Sequence, residues 1–219
     1  SIHETKIGWK LQFETYAIGI PASVTNIMAT FAVALTNRYL IVYGADSVAA
    51  MGIAMKANMI INMVMVGFAF GAQPLIGYVY GAKDEQRFNK VVKFDIQVVA
   101  SLALILTIIL FIFAPQVIRI FMNDPQIVKE GALMLRWLSV STTLAGIILV
   151  FTTMFQSMGK ATPAFWLSFC RQGLIFGVVI SISAKLFGYT GIIAAQAISD
   201  CLTFILALIF FYCYRPRFK

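Results

Sequence analysis

The sequence predicts an all-α membrane protein with six transmembrane helices. Three observations carry that expectation: composition, the number of long apolar runs, and the placement of cations. The chain has 219 residues, of which 60% are hydrophobic and only 12% charged, and its mean hydropathy is +0.87. A soluble domain carries about 25% charged residues. A helix needs about 20 mostly apolar residues to cross a bilayer. Six stretches qualify, at roughly 17–42, 48–80, 94–118, 131–157, 162–186 and 190–213. Little chain is left over. The expectation is a single domain over 1–219, with 1–16 as a cytoplasmic linker or interfacial segment that includes Trp9.

The formal charge of +8 would suit nucleic acid, but its distribution argues for a membrane topology signal instead. An even number of spans puts both ends on one side. That side holds Lys6, Lys10, Lys83, Arg87, Lys90, Lys93, Lys160, Arg215, Arg217 and Lys219; the other holds Arg38, Arg119, Lys129 and Lys185. The excess of cations marks the cytoplasmic face. Both termini are therefore expected in the cytoplasm, with anionic lipid headgroups as partners and no nucleic acid. The expected location is the inner (plasma) membrane.

Helix one places Ser23, Asn26, Thr30 and Asn37 on one face, after Pro21 near its cytoplasmic end. Helix two aligns Asn58, Asn62 and Gln73, and repeats Met51, Met55, Met59 and Met63 every fourth residue. That methionine stripe reads as lipid-facing or core packing, or as an adaptable binding surface. The same helix ends in GFAFGAQPLIGYVYGAKDEQRFNKVVK, over 67–93. Gly67 and Gly71, and then Gly77 and Gly81, stand four apart, which lets another helix approach closely. Pro74 between them frees a backbone carbonyl and is expected to bend the helix.

Helix three carries Asp95 near its start, close to Lys93, where it reads as interfacial. Helix four shows Ser139, Thr142, Gly146, Thr153 and Gln156 at helical spacing. Helix five has Ser168, Arg171 and Gln172, and helix six has Gln196, Ser199, Asp200 and Thr203. Polar stripes serve either as glue between helices or as walls of a shared hydrated cavity. Arg171 and Asp200 both lie mid-helix, where an ionisable group is costly. They read as partners, either a structural ion pair or a coupling element for a transported ion. Lys56 snorkels outward.

Other chemistries find no support. Cys170, Cys201 and Cys213 form no CxxC or Cys/His spacing, and His3 is the single histidine, so neither a zinc site nor a disulfide framework is expected. No metalloprotease, Walker or nucleophile-elbow motif occurs, so no catalytic residues and no ATP-driven motor are expected. No cofactor is expected. The chain starts at Ser1 without a signal peptide, which reads as a piece of something longer.

The run GAQPLIGYVYGAKDEQRF at 71–88 resembles the signature closing the second helix of the C-terminal lobe of multidrug and toxin extrusion (MATE) transporters. YGADSVAAMGIAMK at 43–56, FQSMGKATPA at 155–164, the Arg171–Gln172 pair and GIIAAQAISDCLTFILA at 191–207 follow in the family's order. The resemblance covers essentially the whole chain. It implies one six-helix lobe of a twelve-helix, two-lobe transporter, the lobes being parallel repeats about an axis along the membrane normal. It further implies half of a secondary antiporter that exports organic cations or drugs against H⁺ or Na⁺. Its partner would be the N-terminal lobe, or a second copy of this chain.

On that resemblance, Asn26, Thr30, Asn58, Asn62 and Gln73 face the drug cleft, and Pro21, Gly67, Gly71, Pro74, Gly77 and Gly81 are packing and bending points. Some branches of the family carry a carboxylate in the first helix of this lobe, where Met28, Ala29 and Thr30 stand here, and an Asp in the fourth, where Ala145, Gly146 and Ile147 stand. Coupling carboxylates are then expected in the other lobe. The alternatives are a lipid-linked oligosaccharide flippase of the same superfamily and a non-transporting membrane scaffold. A flippase cavity needs several cations to hold pyrophosphate, and only Arg171 and Lys56 are at hand.

Overall fold

The computed structural model describes residues 9–214, with side chains from Ser23 onward except Thr25. The expected linker is thus described only in part, and Lys6, Arg215, Arg217 and Lys219 lie outside the described residues. Pro21 lies within a helix, but its side chain is outside them too.

Six α-helices lie within the described residues: α1 (Trp9–Leu40), α2 (Ala45–Gly81), α3 (Glu85–Phe121), α4 (Pro125–Ser157), α5 (Ala161–Phe169) and α6 (Ile175–Tyr214), with a 3-10 turn at Ile41–Tyr43 before α2 and a π turn at Cys170–Leu174 joining α5 to α6. Together α5, the π turn and α6 form one continuous run of 54 residues, Ala161–Tyr214. A straight helix of that length would span about 80 Å, against an apolar bilayer core of about 30 Å. The run folds back at Gly188, whose φ of 56° and ψ of −129° are not helical. Ser183 carbonyl oxygen lies hard against the Cα side of Gly191 where a Cβ would be. Further along, Ser199 Oγ donates to Arg171 carbonyl oxygen at 2.9 Å. The two arms are therefore antiparallel neighbours. Helix boundaries differ from the sequence expectation because α1 and α3 begin earlier than their apolar cores, in polar but helix-compatible residues.

The remaining ends have local causes. Asp84 caps α3, accepting from Arg87 N–H at 2.9 Å. Asp124 caps α4, accepting from the N–H groups of Gln126 and Ile127, and Pro125 follows at the first helical position. Gly44 (φ 115°) and Gly159 (φ 68°) make turns that other residues rarely adopt.

Helix α4 is the centre of the bundle. Of its most apolar stretch 72% is buried, against 22% for α2 and for α3, and it packs on α2, α3, α5 and α6. The core of one half includes Met51, Met65, Met134, Leu135 and Ile193. The other half is built from Ile76, Val79, Phe88, Phe155 and Leu167. On α3 the buried set runs Phe88, Val92, Asp95, Val99, Ala103, Thr107, Leu110, Ala114 and Ile118, one stripe at helical spacing. Its opposite face exposes Leu104, Ile105, Ile108, Ile109 and Ile112. A helix so apolar on its outer face is made for lipid. Four helical segments are long and apolar enough to cross a membrane among the described residues.

The glycines that bring helices together are not the pairs at the end of α2. A Cβ at Gly67, Gly71 or Gly81 would meet nothing within 4 Å, and one at Gly77 would make ordinary contact with Ser157 carbonyl oxygen at 3.6 Å. Close approach occurs instead at Gly146, against Met65 and Val99 at 3.0 Å, and at Gly173, against Met28 Sδ at 2.6 Å. Helix α2 runs through Pro74 without a break in its assignment. The four-residue spacing signalled smallness, but those faces of α2 look outward from this bundle.

Candidate functional site

Five elements converge on a cavity of about 590 Å³. Helix α1 contributes Asn26 and Thr36, α2 contributes Asn58 and Asn62, and α4 contributes Ser141 and Thr142. The π turn adds Arg171 and Gln172, and the second arm of α6 adds Gln196 and Asp200. Met55, Met59 and Met63 form an apolar wall beside them. Asn26, Met59 and Met63 are exposed at its rim, while Asp200 is fully buried at its base.

Helical periodicity explains the α2 wall. Met55, Asn58, Met59, Asn62, Met63 and Val66 recur at spacings of three and four, so they share one face. Asn62 Nδ2 donates to Asn58 carbonyl oxygen at 3.0 Å, and Thr142 Oγ1 stands 3.0 Å from Asn58 Oδ1 and 2.9 Å from Leu138 carbonyl oxygen. The single hydroxyl proton of Thr142 serves one of these acceptors at a time. The π turn explains the base. Its wider i→i+5 ring inserts an extra residue into the helix, a device found often at functional sites.

Arg171 Nε lies 2.8 Å from Asp200 Oδ1, and Gln196 Nε2 donates to the same oxygen at 3.2 Å. Asp200 Oδ2 is buried without a hydrogen-bond partner. Arg171 and Asp200 are the only formal charges among the lining residues. They cancel, so the cavity sets polar groups in a mostly apolar lining and carries no net charge. It offers amides, hydroxyls and thioethers, which suits an amphipathic molecule held by shape and a few hydrogen bonds.

Of the residues expected at the cleft, the cavity brings together Asn26, Asn58 and Asn62, with Arg171 and Asp200. Thr30 and Gln73 are not in its wall. Thr30 is exposed and bonds back to Asn26 carbonyl oxygen at 3.1 Å, while Gln73 is half-buried further along α2. Thr36 and Ser141 were not expected there. Ser141 stands in a run of hydroxyl residues with Ser139, Thr142 and Thr143, and Thr36 stands beside Asn37, so neither separated itself from its polar neighbours. Asp95, read as interfacial, faces inward: it lies in the buried stripe of α3, only 5% exposed, because its spacing from Val92 and Val99 turns it toward the bundle. Glu130 also went unremarked in the sequence. Its Oε2 accepts from Ser47 Oγ at 2.6 Å and Tyr189 OH at 3.1 Å, tying the starts of α2 and α4 to the Gly188 turn. Among the described residues no cluster of side chains has the makings of a metal site.

This fold defines a helical, multi-pass membrane protein with an internal cavity between its helices. The profile of the MatE family matches residues 21–183, and the chain belongs to that family. Its members are transporters and not enzymes. The chain is 28% identical over 204 residues to the multidrug export protein MepA of Staphylococcus saprophyticus, and equally so to MepA of Staphylococcus aureus. Each match covers 93% of this chain and 45% of the relative, so the chain spans about half the length of these curated relatives. Among solved structures, a MATE transporter in a bent conformation superposes with a TM-score of 0.88 at 19% identity, covering 98% of this chain and 48% of that one. A transporter of the MOP superfamily from Pyrococcus furiosus gives 0.89 at 19% identity, covering 98% and 49%. These structural likenesses establish the fold.

Proposed function

We propose that this chain is one lobe of a secondary active exporter of organic cations and drugs, driven by H⁺ or Na⁺ and working with an N-terminal lobe, or with a second copy, across the central cleft. The carrying observation is the neutral, methionine-walled polar cavity that opens on one face of the bundle. The Gly188 reversal supports six crossings for this lobe and twelve for the whole transporter, with both termini cytoplasmic in the plasma membrane. Asn26, Asn58 and Asn62 would contact substrate or its water. Thr30 and Gln73 would reach it only when the lobes close. Arg171 and Asp200 would hold the two arms of the terminal hairpin together or take part in coupling. Pro21, Pro74 and Gly77 would absorb bending.

A lipid-linked oligosaccharide flippase is not favoured. Its pyrophosphate would demand several free cations, whereas Arg171 is already paired and Lys56 does not line the cavity. The test is dye and ethidium-type cation efflux by the full-length protein in proteoliposomes. Asn58→Ala with Asn62→Ala should lower efflux at least tenfold. Unchanged efflux in that variant, and in Gln73→Ala with Asn62→Ala, would remove the cleft assignment.

A further inference from the structure

A second hollow, of about 540 Å³, lies between α2 and α3. Its walls are apolar: Phe68, Leu75 and Phe94 are exposed along it, and Gly67 and Gly71 form its floor. The two glycines leave open space there, since a Cβ at either would meet nothing within 4 Å. One polar side chain enters the lining, that of Asp95. Asp95 is 5% exposed, and its Oδ2 has no hydrogen-bond partner. No cation stands among the lining residues, and Lys93, two residues away on the same helix, is exposed.

A carboxylate buried in an apolar stripe is costly unless something compensates it. Every other position of that stripe is apolar except Thr107, whose hydroxyl is satisfied by Ser139 carbonyl oxygen at 2.9 Å. Within that stripe Asp95 is left with an unmet acceptor, and it borders a hollow large enough for a small organic molecule. What fits is a group that is apolar over most of its surface and carries one positive charge. Met63 lines both this hollow and the polar cavity, so the two adjoin.

We propose that the α2–α3 hollow is a second binding site for a lipophilic monocation, with Asp95 as its counter-ion and Gly67 and Gly71 as the clearance for its apolar body. The site opens on the apolar flank of the lobe, so its ligand arrives from the lipid phase and passes Met63 to reach the polar cavity. This deepens the exporter reading and rests on it for the direction of travel, but occupancy of the site is read without transport.

The experiment is equilibrium binding of tetraphenylphosphonium to the purified full-length protein. The wild type should show two classes of site. Asp95→Asn should weaken one class about tenfold or more, as expected when a desolvated charge loses its partner. Asp95→Glu should retain it. Gly71→Leu, which fills the hollow without touching the carboxylate, should remove the same class. Asn58→Ala with Asn62→Ala should remove only the other. Tetraphenylborate, of the same shape and opposite charge, should not compete at the Asp95 site. The proposal is overturned if Asp95→Asn and Gly71→Leu both keep the two classes at wild-type affinity, or if tetraphenylborate competes as well as the cation. An Asp95-dependent site in a protein that exports no cation would support the hollow and sink the exporter reading.

Discussion

Arg171 and Asp200 meet at 2.8 Å although 29 residues separate them, because the Gly188 reversal brings the two arms of the terminal hairpin side by side. The pair is asymmetric: Asp200 is 1% exposed and Arg171 21%. Gln196 supports the carboxylate from one turn away, and Ser199 bonds the arginine's own carbonyl. The side chains and the backbone are thus fastened at one level of the hairpin.

That arrangement gives a first prediction. Removing one partner leaves a buried charge uncompensated, at a cost of about 3–5 kcal/mol, whereas replacing both by apolar residues is often near neutral. Arg171→Leu and Asp200→Leu alone should each lower the thermal midpoint in detergent sharply. The double variant should recover most of the loss. If the recovered double variant still exports drug, the pair is structural; if it folds and exports nothing, the pair takes part in coupling. Single variants that melt with the wild type would remove both readings.

A second prediction concerns Glu130. Its Oε2 takes hydrogen bonds from Ser47 and Tyr189, and Tyr189 packs edge-on to Tyr43 with centroids 5.3 Å apart. Three stretches of chain meet there. Glu130→Ala should destabilise by about 1–3 kcal/mol, because two part-buried hydroxyls lose their acceptor. Ser47→Ala added to it should cost little more, since the shared bond is already gone. Additive losses in thermal melts would show that the two residues act separately.

Third, glycines of different surroundings should respond with opposite sign. At Gly146 a Cβ would lie 3.0 Å from both Met65 Sδ and Val99 Cγ1. Gly146→Leu should therefore destabilise by about 1–3 kcal/mol or more through overpacking, with Val99 too stiff to yield. Gly67 has open space, so Gly67→Ala should gain up to about 1 kcal/mol of helix propensity. Thermal midpoints of the full-length protein decide this. A loss at Gly67→Ala would show that a helix outside this bundle packs closely on that face.

Much of the fold was legible because membrane helices announce themselves by length and apolarity. The cavity was legible in part, since Asn58 and Asn62 repeat at helical spacing and Arg171 and Asp200 were the costly charges in need of partners. Periodicity assigns a residue to a face but does not say how far along the helix the cavity reaches, which is why Gln73 was grouped with Asn62. Nor does it say which face of α3 turns inward at Asp95, because charges near a helix end look interfacial in sequence. The glycine pairs of α2 are not packing points between the helices described here. Four-residue spacing reports room for a neighbour, and among the described residues no helix fills it.

The last prediction tests the reversal itself. Gly188 has φ 56° and ψ −129°, a combination that side-chain-bearing residues rarely adopt, and a Cβ there would also lie 3.0 Å from Tyr43 Oη. Gly191 follows three residues later with Ser183 carbonyl oxygen occupying the space of a Cβ. The first problem is conformational strain, at about 1–3 kcal/mol. The second is collision with backbone, which cannot rotate away as a flexible side chain would. Gly188→Ala should therefore lower the thermal midpoint and loosen the hairpin, and Gly191→Ala should do so at least as strongly. Cysteines placed on the facing arms near Arg171 and Ser199 give an independent readout. They should crosslink efficiently in the wild-type background and poorly with Gly188→Ala. Undiminished crosslinking and an unchanged midpoint in both variants would mean that the arms are not brought together by this turn.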